Sequence, residues 1–256
     1  MTLQQIKDRR RVRWVIVGLP VKMRRGDYIV DPKKYETVFF DSLGATYTPI
    51  VKQLCAYYRK KLSGVGRIRI TANDGTDLSF SIRGRPILVD DGVLDEEDLA
   101  RGDVGLNIPD GEVFVAPLEH SANGRIRFDF VFPSGFGLIK NLWITFEGGK
   151  VTSFSADGDG AKRFQKFLDS NTGEKDRIAE LGIGTNPAAQ FIGAILIDEK
   201  IYGSIHIAIG SNTGAYHGKN KASSHLDMIK IMRGQGGRVY ADERLVMDNG
   251  LPVGLK

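Results

Sequence analysis

A histidine and an aspartate two residues apart, His225 and Asp227 in the segment SSHLDMI, form the most informative chemical pattern of this chain. Alternate side chains of a β-strand point to the same face, so an imidazole and a carboxylate would stand side by side there. Such a pair suits a metal ion, although a lone triplet of this kind is also typical of a surface hydrogen bond. The pattern predicts a metal site only if further ligands accompany it.

Further carboxylates and a second histidine stand inside or beside apolar, strand-like sequence. His206 lies within the apolar run 205–209, where an imidazole without a partner would be costly to bury. Glu180 lies within AELGIG, Glu199 ends the apolar segment ILIDE, and Glu112 follows a Pro-Asp-Gly turn. Charged groups in such places need a partner or a cation. Five of these residues favour one shared metal site: Glu112, Glu180, His206, His225 and Asp227.

The ligand types indicate a catalytic rather than a structural metal site. Carboxylates with imidazoles suit Zn, Co or Mn, and the absence of thiolates argues against a structural zinc site. A pair of such ions can activate a water and polarise a peptide carbonyl. If it bridges or flanks the ions, Glu180 is the candidate for the base that accepts the proton of that water.

The N-terminal quarter of the chain has the character of an α/β protein. The segment RWVIVG is typical of a buried strand, which would need parallel neighbours to cover both faces. Residues 46–62 have apolar side chains at helical spacing, which predicts an amphipathic helix. This part is too small to form a core alone.

From residue 66 onward, alternating apolar and polar residues predict antiparallel strands. RIRITA and DLSFSI flank the turn NDGT, and LWITF and KVTSFSA flank Gly148 and Gly149. The segment GAKRFQKFLDS predicts a helix with Phe164, Phe167 and Leu168 on one face. The sequence therefore predicts an α+β fold, with a partial N-terminal α/β domain at 1–64 and a mostly antiparallel β catalytic, metal-binding domain with a few helices at 65–256.

Composition narrows the classes of protein that the chain can belong to. The 256 residues include 41% hydrophobic and 26% charged residues, which is ordinary for a globular protein. Cys55 is the one cysteine and lies in a helical stretch, so we expect a buried thiol in a reducing, cytoplasmic setting. No run of 18 apolar residues predicts a membrane span. The net charge of +5 comes from scattered basic segments without a recognised motif, so we expect no nucleic-acid partner.

Two glycine-rich segments resemble ligand-binding loops but lack the residues that such loops need. DGDG at 157–160 is not followed by the glutamate of a calcium loop. RGQGG lacks the Lys-Ser/Thr ending of a phosphate loop and precedes a strand-like segment. Both segments are predicted to be turns.

Four segments resemble, in the same order, those of the thermophilic metallo-aminopeptidases of the aminopeptidase T type. They are NIPDGEVFVAP, AELGIGTNP, DEK followed by IHIAIG, and SSHLDMI, and the resemblance extends over about residues 12 to 250. It implies two divalent ions in a cavity of a C-terminal catalytic domain. It also implies Glu199 as a further ligand and Tyr216 near the metals, beside the five ligands named above.

The resemblance implies a metal-dependent aminopeptidase that acts on peptides with a free N-terminus. Members have a longer portion ahead of the RWVIVG strand, so this chain resembles a shortened form, and a homodimer is expected to cover that strand. The intervals from Glu199 to His206 and from His206 to Tyr216 are longer than in the family. Two alternatives stay open: a ring-cleaving dihydroxypyridine dioxygenase with one Fe on His206, His225 and Asp227, and a catalytically degenerate binding protein.

Overall fold

The computed structural model describes residues 12–19 and 32–255, and its first elements are strand β1 (Trp14–Val17) and helices α1 (Pro32–Thr46) and α2 (Pro49–Leu62). Helix α2 begins at a proline, which is preorganised for the first helical turn. The helix predicted over residues 46–62 is present, but it begins at Pro49, because residue 46 is the last residue of α1.

The remaining part consists mainly of strands connected by short turns. In chain order its elements are β2 (Arg67–Thr71), β3 (Asp77–Ser81), β4 (Leu88–Asp90), α3 (Glu96–Arg101), β5 (Gly105–Ile108), β6 (Glu112–Val115), β7 (Asn123–Val131), β8 (Ile139–Glu147), β9 (Lys150–Ser155), α4 (Gly160–Asp169), β10 (Ile178–Gly184), α5 (Ile195–Asp198), β11 (Ser204–Gly210), the 3₁₀ turn Gly214–Tyr216, β12 (His225–Ile231), β13 (Arg238–Ala241), β14 (Arg244–Asp248) and β15 (Leu251–Pro252). The predicted α+β fold class is confirmed, because the strands pair mostly antiparallel and the helices are few.

One long, curled sheet contains 13 of the described strands and holds the main hydrophobic core. Its order includes the consecutive neighbours β7, β12, β11, β10, β6 and β4. The apolar side chains of β10 and β11 that face away from the histidines are fully buried with those of α2 and β7. Helix α2 thus packs into the same core as the sheet, contributing Val51, Cys55, Tyr58 and Leu62.

Strand β1 pairs in parallel with β5, from Trp14 opposite Gly105 to Val17 opposite Ile108. The expected parallel neighbour is therefore present. The expected burial of this strand is wrong for the described residues, because Val15, Ile16 and Val17 are 40–48% exposed. The boundary between residues 64 and 65 stays a prediction.

The turn signals of the sequence correspond to the observed connections. Gly148 and Gly149 both have positive φ and join β8 to β9, and the NDGT segment joins β2 to β3. The segment DGDG leads into α4, which buries Phe164, Phe167 and Leu168, and RGQGG is the turn between β12 and β13. The basic segment KMRR and most of KDRRRVR lie outside the described residues. None of the described helices has the length and apolar character needed to span a membrane.

Candidate metal centre

The register of four neighbouring strands brings the five predicted ligands to one face of the sheet. Glu112 of β6 lies opposite Gly184 of β10, and His206 of β11 lies opposite Gly182 of β10. Glu180 and Asp227 lie opposite the same residue, Ala208, from the two sides of β11, and His225 lies opposite Gly210. Directly opposed residues share a face. The alternate positions of these strands are apolar and face the core.

A β-bulge in β10 aims Glu180 at this face. The register shifts between Ile178 and Glu180, so Ile178 pairs with a core-facing residue while Glu180 pairs with Ala208. A bulge changes the face that the following side chain occupies. Without it, Glu180 would lie on the same face as Ile178, which is in the hydrophobic core.

A hydrogen bond to the backbone orients the ring of His225. Its Nδ1 lies 2.7 Å from the carbonyl oxygen of Ser211, so this nitrogen carries the proton and donates it. The other nitrogen, Nε2, is then free to bind a metal, as is common for ligating histidines. It lies 3.1 Å from Glu180 Oε2 and 3.2 Å from Asp227 Oδ1.

His206 and Glu112 contribute buried polar atoms that the protein leaves without a partner. His206 Nε2 lies 3.4 Å from both Glu112 Oε2 and Glu180 Oε1. Among the described residues, Glu112 Oε2 has no hydrogen-bond partner, nor has the second ring nitrogen of His206, Nδ1. Buried polar atoms are rarely left unpaired. The unpaired Glu112 Oε2, together with His206 Nε2 and Glu180 Oε1, therefore fits a divalent cation.

Glu199 reaches the same centre from the segment that follows the short helix α5. Glu199, His206 and Asp227 each offer a ligand atom, and these atoms lie within 4.8 Å of one another. The preceding Asp198 has a different role, because its carboxylate accepts hydrogen bonds from the backbone N–H groups of Ile192 and Gly193. Asp198 therefore shapes the turn from which Glu199 projects.

Lys200 lies between two of the predicted ligands, Glu112 and Glu199, and was missed by the sequence analysis. Its side chain is fully buried, and its Nζ lies 2.5 Å from Glu112 Oε1 and 2.8 Å from Glu199 Oε1. A buried charge is stable only when it is paired. The sequence did contain a signal for this burial. Lys200 directly follows Asp198 and Glu199, and apolar segments stand on both sides of these three charged residues.

The charges of the cluster shift the pKa values of its members strongly. Burial raises the pKa of Glu112 to about 8, although Lys200 opposes this. Burial alone would lower the pKa of His206, but the carboxylates of Glu180 and Glu112 raise it to about 9. For Glu180, burial is outweighed by the hydrogen bonds of His206 and His225, and its pKa falls below its ordinary value. A metal ion must therefore displace protons from the imidazoles when it binds.

Tyr216 packs directly against the metal centre. Its ring stacks on that of His225, with 4.7 Å between the centroids, and meets the edge of Phe114. Hydrogen bonds hold the loop that carries Tyr216. Glu119 accepts one from the backbone N–H of Lys219 and one from the side chain of Arg85. The Arg85 side chain also donates to the carbonyl of His217. The predicted position of Tyr216 near the metals is consistent with this packing.

A cavity of about 510 Å³ opens above the cluster. Four of the predicted ligands line it: Glu112, Glu180, Glu199 and Asp227. Most of its remaining wall is apolar and comes from β1, β4, the β4–α3 connection, β5 and the start of α5: Trp14, Ile16, Leu88, Val93, Leu94, Leu106, Ile195 and Leu196. Asp90 also lines it and lies opposite Glu112 across the β4–β6 pair. The cavity can receive a ligand with an apolar side chain next to the carboxylates.

The described residues contain three groups that could each hold an ion. They are Glu112, Glu180 and His206; Glu180, His225 and Asp227; and Glu199, His206 and Asp227. All six predicted ligands occur in them, and Glu180, His206 and Asp227 each belong to two. Each group has two carboxylates and one imidazole. The set of two imidazoles and one carboxylate that a dioxygenase site would need is not among the groups found in this part of the chain.

Comparison with known proteins places the chain in a family. Residues 51–250 match the model of the thermophilic metalloprotease family, M29. Aminopeptidase T of Thermus aquaticus is 31% identical over 108 residues, which cover 41% of this chain and 26% of that protein. The chain therefore matches about a quarter of the length of this relative.

Two solved structures share the fold. The 2,5-dihydroxypyridine dioxygenase of Pseudomonas putida KT2440 superposes with a TM-score of 0.67 at 19% identity, over 89% of this chain and 64% of that one. AmpT of Thermus thermophilus superposes with a TM-score of 0.60 at 20% identity, over 88% and 60%. At these identities the likeness is one of fold alone. The family match, which spans more than half of the chain and confirms the resemblance of its sequence segments, shows that this protein belongs to the thermophilic metalloprotease family M29.

Proposed function

We propose that the chain is a metal-dependent aminopeptidase that releases N-terminal residues from peptides with the aid of two divalent ions. The observation that carries the proposal is the position of Glu180 between two ligand groups. Its Oε1 faces His206 and its Oε2 faces His225. A carboxylate that offers one oxygen to each of two groups is suited to bridge two ions.

The ligands proposed for the two ions are Glu112, Glu180, Glu199, His206, His225 and Asp227. Zn, Co and Mn all accept such a set of carboxylates and imidazoles. When bound, the two ions would supply Lewis acidity for the scissile carbonyl and for the attacking water. The carboxylates hold the centre in place, and the Ser211 carbonyl keeps the His225 ring in the tautomer that can bind.

Glu180 and Tyr216 are the residues proposed to take part in catalysis. As a base, Glu180 would accept the proton of the attacking water through an oxygen that is not bound to an ion at that step, so it would then hold only one of the two ions. Its lowered pKa keeps it ionised. Tyr216, stacked on His225 at the cavity wall, would orient the substrate beside the ligands.

The cavity supports a substrate with an apolar N-terminal residue and a free amino group. An apolar side chain would pack against the wall formed by residues such as Leu88, Leu106 and Leu196. We propose Asp90 as the acceptor of the ammonium, because it lines the cavity opposite Glu112 and belongs to none of the three ligand groups. Burial raises the pKa of Asp90 to about 8, and an ammonium beside it would lower that pKa and favour the carboxylate. Peptide substrates with a blocked N-terminus should therefore be poor.

The dioxygenase alternative is less well supported by the ligand groups than the peptidase. It requires an ion held by two imidazoles and one carboxylate, whereas each described group has one imidazole. A homodimer that covers the exposed strand β1, and a cytoplasmic location, stay predictions.

The proposed function is tested with protein that has been stripped of metal and reloaded with Zn²⁺, Co²⁺ or Mn²⁺. We expect it to release the first residue of an unmodified apolar peptide and to leave the N-acetylated peptide intact. Equal turnover of both peptides, or of neither, would contradict an aminopeptidase.

A further inference from the structure

The ammonium of Lys200 occupies a position where it competes with a metal ion for carboxylate oxygens. Besides Glu112 and Glu199, its Nζ lies 3.8 Å from Asp110 Oδ1. The backbone around it is held firmly, since the Lys200 carbonyl accepts a hydrogen bond from the Asn186 N–H at 2.9 Å. Gly184 permits this close approach, because a Cβ there would lie 2.2 Å from the carbonyl oxygen of Ile201.

Glu112 is divided between the ammonium and the metal centre. Its Oε1 accepts the hydrogen bond from Lys200 at 2.5 Å, while its Oε2 faces His206 at 3.4 Å. Only Oε2 is therefore free to bind an ion, and the carboxylate charge that this ion would meet is already partly neutralised.

The group around His225 is less affected by this charge, because Lys200 forms no ion pair with any of its described members. Lys200 forms ion pairs with Glu112, Glu199 and Asp110. None of its described ion pairs involves Glu180 or Asp227. His225 instead has its neutral tautomer set by Ser211 and faces two carboxylates, those of Glu180 and Asp227. We call the group Glu180, His225 and Asp227 the His225 position. The group Glu112, Glu180 and His206 is the His206 position, and Glu199, which shares a ligand group with His206 and is paired with Lys200, is assigned to it.

We propose that Lys200 is a built-in cation that makes the two metal positions unequal. The His225 position binds its ion first and tightly. The His206 position binds second and weakly, because an ion there lies close to a fixed positive charge and shares Glu112 with it. This inference rests on the two-ion centre of the proposed function and adds an order of loading to it.

The test is a titration of the metal-stripped protein with Co²⁺, followed by its visible absorption and by calorimetry. For the wild type we expect two binding events whose dissociation constants differ at least tenfold. Lys200→Met should tighten the weaker event at least tenfold, since the competing charge is gone, whereas Lys200→Arg should keep the two events apart.

Lys230→Met is the matched control. Lys230 is also fully buried, and its Nζ lies 2.6 Å from Asp74, outside the metal centre. Its removal should leave both Co²⁺ affinities unchanged. If Lys200→Met does not fold, two ligand variants decide the order of loading: His206→Ala should lose only the weaker event, and His225→Ala should lose the tighter one.

The outcomes separate this inference from the proposed function. Two events of equal affinity in the wild type, or a weaker event that Lys200→Met leaves unchanged, would overturn the inference and leave the two-ion peptidase standing. Loss of the weaker event in His225→Ala with the tighter one retained would overturn it as well. Failure of the wild type to bind Co²⁺ would overturn both.

Discussion

The glycine opposite His206 provides a sharp test of the proposed centre. Gly182 lies across from His206 in the β10–β11 pair, and a Cβ at this glycine would lie 2.0 Å from both Nε2 and Cε1 of the imidazole. Ordinary contacts begin at about 3.4 Å, so in Gly182→Ala the ring must move by about 1.4 Å. The displaced atom is the one that faces Glu112 and Glu180.

A displacement of this size should be costly for function but not for folding. Misplacing a group by about 1 Å can lower a reaction rate by about 100-fold. We therefore expect kcat/KM and the association constant of the weaker Co²⁺ binding event each to fall by about that factor. The strand should persist, because the atoms that must move belong to a side chain and alanine is tolerated in strands. Co²⁺ titration, peptide hydrolysis and thermal unfolding measure the three quantities.

Gly44→Ala is the control for this substitution. Gly44 lies in α1, and an added Cβ there would meet nothing within 4 Å. It should leave metal binding unchanged and stabilise the helix by up to about 1 kcal/mol. The reasoning would be refuted if Gly182→Ala bound two ions with wild-type affinity and kept full activity.

Four further predictions concern individual residues and the assembly. Glu180→Gln should lower kcat about 10²- to 10⁴-fold; retained activity with both ions bound would exclude Glu180 as the base, and loss of an ion would indicate a ligand. His225→Ala and Asp227→Ala should each lose metal and peptidase activity, and a fully active variant with both ions would remove these residues from the site. Burial would raise the pKa of Asp74, but the hydrogen bond from Lys230 lowers it to about 2. Asp74→Asn should therefore cost about 1 to 3 kcal/mol of unfolding free energy at pH 7. That difference should shrink as the pH falls from 4 towards 2, and denaturant unfolding that shows a constant difference would contradict it. Light scattering should give the mass of a dimer, and a fully active monomer would contradict the proposed interface.

Much of the fold could be predicted because local signals and the final structure agree. Alternating residues and glycine turns predicted the hairpins β2–β3 and β8–β9, and the apolar face of GAKRFQKFLDS predicted α4. The predicted burial of the RWVIVG strand was wrong, since its apolar composition does not reveal that Val15, Ile16 and Val17 stay exposed, Ile16 at the wall of the cavity. Exposure of a strand depends on which elements cover it, and these are distant in sequence.

Five of the candidate ligands could be recognised because each is a carboxylate or imidazole in strand-like sequence, whereas Glu199, which follows helix α5, was implied by the family resemblance. The convergence of these residues on one site could not be predicted. The face on which Glu180 lies depends on a β-bulge at residue 179, and the sequence has no recognisable signal for that bulge. Lys200 was missed for a related reason. Its burial follows from the approach of the 199–201 segment to Gly184, a contact that only the folded sheet creates.

The central claim is that one chain holds two divalent ions and uses them for N-terminal hydrolysis. It is tested most directly by measuring metal content and peptidase activity on the same preparation of reloaded protein. We predict two Zn²⁺, Co²⁺ or Mn²⁺ ions per chain, with activity that is lost on chelation and restored by the metal. One bound iron without hydrolysis, or full activity in the chelated protein, would contradict the account.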